Sequence, residues 1–142
     1  MNNFVYMANT YGVFVFTLLG SIVLWRAKDK KGAYLVFVAA VVAGIVSIAL
    51  KELFGVPRPL TSSPSAGLAM LGSFPSSHAA FAFASATVVA YHKRTAGLAF
   101  LSVAFVLGLG RVIADVHYPI DFVIGTVVGI CIALTLSDKK RA

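Results

Sequence analysis

FVYMANTYGVFVFTLLGSIVLW fills residues 4–25 without one formally charged side chain, and the first charge of the chain is Arg26. About 20 apolar residues suffice for a helix to cross a bilayer. The stretch has no basic segment before it and no small-x-small cleavage site ahead of Trp25-Arg26. It therefore reads as a retained membrane helix, not as a signal peptide.

The rest of the chain repeats this character. Of its 142 residues 59% are hydrophobic and only 12% charged, with a mean hydropathy of +0.90. Such a composition cannot clothe a soluble domain in polar surface. Further apolar segments run over 33–54, 77–91, 95–113 and 119–137. In lipid they must be helices, because a lone strand leaves its backbone groups unpaired. The expected fold is all-α: one polytopic membrane bundle of about five transmembrane helices, filling residues 1–142 as a single domain. Cys131 stands alone among apolar residues, so it forms no internal disulfide and reads as a small packing residue.

Threading five crossings sorts the connections onto two sides. RAKDKKG (26–32), HKRT (92–95) and the tail share one side. They hold nine of the twelve Lys and Arg: Arg26, Lys28, Lys30, Lys31, Lys93, Arg94, Lys139, Lys140 and Arg141. By the positive-inside rule that side is cytoplasmic, with the C-terminus on it and the N-terminus outside. Anionic lipid head groups answer those cations, which removes nucleic acid as a partner for the net charge of +7. Small residues crowd the second and third segments, and Gly125-x-x-x-Gly129 marks the fifth. They point to close helix packing within the bundle.

The opposite side gathers Lys51, Glu52, Arg58, His78, Arg111, Asp115, His117 and Asp121. Ionisable groups at membrane depth are costly and point to function. Read one at a time, Lys51 is a cation snorkelling beside Glu52, Ser76 an N-cap, and His117 a capping histidine. Taken together, three cations, two histidines and a carboxylate suit an anion with several oxygens. KELFGVPRP (51–59) supplies Lys51, and Arg58 held between two prolines. SFPSSHAAF (73–81) sets Ser76, Ser77 and His78 at a helix start, whose free N–H groups bind phosphate. RVIADVHYPID (111–121) supplies Arg111, then His117 with Asp121 four residues on. That spacing lets the carboxylate hold one imidazole nitrogen and leave the other free.

Lys51-x6-Arg58-Pro59, Pro75-Ser76-Ser77-His78 and Arg111-x5-His117-x3-Asp121 together resemble the three-part signature of the type 2 phosphatidic acid phosphatase (PAP2) superfamily. That family includes membrane lipid phosphatases and soluble vanadium haloperoxidases. The chain departs from it in carrying Ser77 where Gly is usual and Gly110 where Ser is usual. It also shows five crossings where many membrane relatives have six, as if one N-terminal helix were missing. Asp115, two residues before His117, is a solvated loop residue, a repeller of extra substrate charge, or a group that raises the His117 pKa.

The resemblance implies roles. His117 attacks phosphorus, Asp121 orients it, and His78 protonates the leaving oxygen and later activates water. Lys51, Arg58, Arg111, Ser76 and the amides near Ser77 hold the phosphoryl oxygens, with neither metal nor cofactor required. Within the family, RVIADVHYPID is most similar to the bacterial undecaprenyl-diphosphate phosphatases. The implied partner is a membrane lipid phosphate or diphosphate that enters sideways from the outer leaflet. Phosphatidylglycerophosphate and phosphatidate share the same phosphate end and stay open. So does a different class, a lipid-phosphate binder or small transporter without catalysis. TSSPSAGLAMLGS (61–73) reads as a short interfacial helix or lid beside the site.

Overall fold

The computed structural model describes residues 3–59 and 72–138, with side chains from Tyr11 onward. Most of the 61–73 stretch expected as a helix or lid lies outside the described residues, as do Lys139, Lys140 and Arg141. Five helices follow one another: α1 (Asn3–Arg26), α2 (Lys30–Phe54), α3 (Ser77–His92), α4 (Arg94–Ile113) and α5 (Pro119–Asp138). The described residues contain no strand.

The reversals between helices are short. After α1, Lys28 takes a left-handed conformation (φ 64°). Asp29 N–H then reaches back to Leu24 O and Lys28 N–H to Trp25 O, which closes the helix end. Asp29 next caps α2, its Oδ1 accepting from Gly32 N at 2.7 Å. This cap starts α2 at Lys30, three residues before the apolar run that marks it in the sequence. The α4–α5 reversal uses the same device. Val116 N–H donates to Arg111 O and Asp115 N–H to Val112 O, with Asp115 left-handed at φ 53°. Asp115 is thus the exposed turn residue of a helix cap, a place that Asp tolerates better than most side chains.

α3 is the hub and packs against each of the other four helices. It is 16 residues long, roughly 24 Å at helical rise, and falls short of the ~30 Å hydrocarbon core. Its N-terminus lies within the bundle, with the capping Ser76 buried. Three helices, α2, α4 and α5, are each long and apolar enough to cross a bilayer. α1 is a fourth apolar helix, so the expected five-helix bundle consists of long helices around one short central one.

The packing is inverted relative to a soluble protein. The core is largely alanine: Ala39, Ala40, Ala43, Ala79, Ala80, Ala84, Ala86, Ala104 and Ala133 are wholly buried. Phe14, Leu18, Trp25, Phe37, Leu53, Phe105 and Val106 face outward. Lipid solvates large apolar side chains, so the helices gain by close approach of small ones. Gly125 and Gly129 show how close. A methyl on Gly125 would meet the Ser76 carbonyl, and one on Gly129 the Ala80 carbonyl. The GxxxG pair is therefore an α3–α5 contact inside the bundle. Cys131 differs from expectation. It is exposed on α5 and lines a shallow apolar groove with Val42 and Thr135.

Candidate active site

The C-terminal ends of α2 and α4 and the N-terminal ends of α3 and α5 meet at one end of the bundle. Local helix chemistry places each side chain there. Pro119 opens α5 and Asp121 is its third residue. From that position the carboxylate reaches back, and Oδ2 accepts from Tyr118 N–H at 2.9 Å, a helix-capping contact. The same oxygen lies 3.3 Å from His117 Nδ1. His117 N–H and Val116 N–H both donate to Arg111 O, so the cap of α4 fixes the histidine backbone. The pair is buried, His117 at 3% and Asp121 at 0% exposure.

Three cations surround it. Arg111 is buried at the end of α4. Arg58 Nη1 donates to Val116 O at 3.2 Å, next to His117. Lys51 is buried and turned inward, its Nζ donating to Gly72 O at 3.0 Å and Ser73 O at 2.8 Å. It does not snorkel beside Glu52, which is exposed. Burial pushes His117 down most, and Lys51, Arg111 and Arg58 push the same way. Its contact with Asp121 opposes them, and the outcome is a pKa of about 4, well below the ordinary histidine range. His117 is therefore a neutral imidazole at neutral pH, with its Nδ1 hydrogen directed to Asp121. Its pKa is thus lowered, not raised, and the charges that act on it most are the three cations.

α3 enters from the other side. Ser76 caps it, its Oγ accepting from Ala79 N at 3.4 Å, and its N–H donates to Asp121 O at 2.9 Å. The start of α3 is thus bonded to the residue that holds His117. Ser77 and His78 form its first turn, both half-buried. Gly110 has open space beside it, so the hydroxyl usual in the family would find room there.

A buried histidine held by a carboxylate, with three cations around it and a helix N-terminus beside it, has the charge and geometry to suit an anion with several oxygens. The sequence pattern of the PAP2 superfamily matches residues 31–140. The chain belongs to the PAP2 superfamily. Among curated relatives it is 30% identical to the bacitracin transport permease protein BcrC of Bacillus licheniformis, over 94% of this chain and 69% of that protein. It is 35% identical to a lipid A 1-phosphatase of Rhizobium etli, over 69% of this chain and 45% of that protein. A lipid A 1-phosphatase of Rhizobium johnstonii is 34% identical over 69% of this chain and 43% of its own length. The chain thus covers about two thirds of the first relative and under half of the other two. No solved structure matches it significantly.

Some groups of this candidate site carry no mark in the sequence. The main-chain N–H of Tyr118 and carbonyl of Val116 hold Asp121 and Arg58, and backbone groups leave no residue-type signal. Ser73 is fully buried between the loop and α5. It is uncharged, so a search for ionisable clusters passes over it.

Proposed function

We propose that this protein hydrolyses a lipid diphosphate, foremost undecaprenyl diphosphate, at the outer face of the cell membrane, through a phosphohistidine and without a metal. Its class follows from kinship: PAP2 membership and the lipid A 1-phosphatase relatives make it a membrane lipid phosphatase. The substrate and the chemical route are the proposal. One observation carries the route: His117 is buried and held by Asp121 with Lys51, Arg58 and Arg111 around it, and burial lowers its pKa to about 4.

In this reading the lone pair on His117 Nε2 forms a bond to the terminal phosphorus. The bond from phosphorus to the bridging oxygen breaks, and His78 gives that oxygen a proton. The lipid monophosphate departs. His78 then takes a proton from water, whose oxygen displaces His117 and yields inorganic phosphate. Asp121 stabilises the imidazolium that forms when His117 bonds to phosphorus. Arg58 and Arg111 neutralise the phosphoryl oxygens. Lys51 spends two of its three N–H donors on carbonyls and keeps one for phosphate. Ser76, Ser77 and the free amides at the start of α3 complete the cradle.

The orientation rests on the cations. Arg26, Lys28, Lys30, Lys31, Lys93 and Arg94 lie at the bundle end opposite His117. They support that end being cytoplasmic, against anionic head groups, and the phosphatase end being outside. The whole chain then acts as one membrane domain, and the lipid tail stays in the bilayer while the phosphate enters.

The test is phosphate release from undecaprenyl diphosphate by detergent-purified protein in excess EDTA, with His117→Ala alongside. Release by wild type and none by the variant is the expected result. Loss of wild-type release on adding EDTA would refute the metal-independent route. A panel including phosphatidate and phosphatidylglycerophosphate assigns the lipid, and no release from any of them would overturn the reading.

A further inference from the structure

Ser73 is neither a catalytic nor a phosphate-holding group in the reading above. It is nevertheless completely buried, and each of its polar atoms meets a different part of the site. Its N–H donates to Val56 O at 2.7 Å. Its carbonyl accepts from Lys51 Nζ at 2.8 Å. Its hydroxyl donates to the carbonyl of Pro57, the neighbour of Arg58, at 3.2 Å. That is long for a bond between two oxygens.

The hydroxyl also faces the carboxylate of Asp121. There Oδ2 already serves His117 and Tyr118 N–H. Oδ1 is buried and makes no hydrogen bond. A buried carboxylate oxygen without a donor is unfavourable, and a long bond nearby is cheaply exchanged.

We propose that Ser73 is a positioning residue of the phosphatase reaction, its hydroxyl turning from Pro57 O to Asp121 Oδ1 and so setting how strongly Asp121 holds His117. The proposal rests on His117 being the nucleophile. A donor on Oδ1 spreads the carboxylate charge and eases its grip on the imidazole hydrogen. Without that donor Asp121 is the stronger base, and His117 binds a proton more tightly. The other charged groups around His117 are Lys51 from α2, Arg58 from the following turn and Arg111 from α4, with Asp115 two residues before it in the α4–α5 turn. His78 stands on the first turn of α3. Ser73→Ala leaves all of them in place. It also keeps the main-chain bonds to Val56 and Lys51, so phosphate binding is spared.

The experiment measures kcat and kcat/KM for phosphate release from undecaprenyl diphosphate across pH, using the full chain in detergent. Wild type, Ser73→Ala and Ser73→Cys are compared. In Ser73→Ala, the acid limb of kcat/KM moves up by about half a pH unit or more, while KM stays within about twofold. Ser73→Cys lies between, because a thiol is a weak donor. An acid limb that stays in place in Ser73→Ala overturns the proposal, whatever the loss of rate, since a merely structural serine would give that result. If Ser73→Ala does not fold, Ser73→Cys decides alone by the same criterion. A wild type that releases no phosphate would instead refute the reaction, and the proposal with it.

Discussion

The bundle carries two His–Asp pairs, one at each end, and they differ in everything except composition. At one end His117 Nδ1 lies 3.3 Å from Asp121, with side chains 2% and 0% exposed. At the other, His92 Nδ1 lies 2.5 Å from Asp29, with side chains 19% and 32% exposed. The shorter contact is the structural one. Asp29 caps α2 and ties it to the last turn of α3. The longer contact sits under three cations, beside a helix start, where an imidazole is kept neutral. In the function proposed above, the surroundings and not the closeness of the two groups set the His117–Asp121 pair apart.

The comparison breaks most readily at the histidines. His117→Asn should reduce phosphate release by about a thousandfold or more, because the attacking nitrogen is gone. His92→Asn should leave the rate within about twofold. Comparable losses in both, measured on folded protein in one assay, would show that the two pairs are not distinct in function.

A second, smaller effect concerns pH and stability. His117 is held near 4 in the fold, below its ordinary value of 6.5. The neutral form is favoured by folding, so the stabilisation is complete above about pH 6.5 and is lost as pH falls toward 4. The loss is on the order of a few kcal/mol. Thermal unfolding in detergent should thus show wild type losing more stability than His117→Asn between pH 7 and 4. Parallel curves for the two proteins would mean that His117 is not buried neutral.

The smallest effect belongs to the other end. Asp29→Ala removes a cap and should cost about 1 kcal/mol of stability, with catalysis by the remaining folded protein unchanged. A drop in kcat at full folding would mean that the cap end governs the active end through α3.

Much of this was legible without coordinates. The uncharged run at 4–25 and its successors announced lipid-facing helices, because charge in hydrocarbon is too costly to be accidental. The same cost made Lys51, Arg58, Arg111, His78, His117 and Asp121 conspicuous. Other features were hidden. Asp29 looked like part of a basic linker, since nothing local says that its carboxylate closes α2 and meets His92. Cys131 looked like packing, since an apolar helix has no sequence mark for its lipid-facing side. Asp115 was open to three readings, and its exposed turn position matches the solvated loop residue, though its left-handed backbone leaves no trace in composition.

By itself the sequence determined the solvent of this protein, the five helices of the described residues and the cluster of ionisable groups at one end of them. These depend on hydropathy and spacing, which are properties of the chain taken in order. Only the tertiary structure decided that α3 is a short buried hub and that Gly125 and Gly129 let it press against α5. It alone turned Lys51 inward onto Gly72 and Ser73, and left Asp121 Oδ1 buried without a hydrogen bond in a carboxylate that lies beside an uncharged serine. Those outcomes depend on which distant segments share a few ångströms of space, and close packing of small residues sets that only once all the helices are in place.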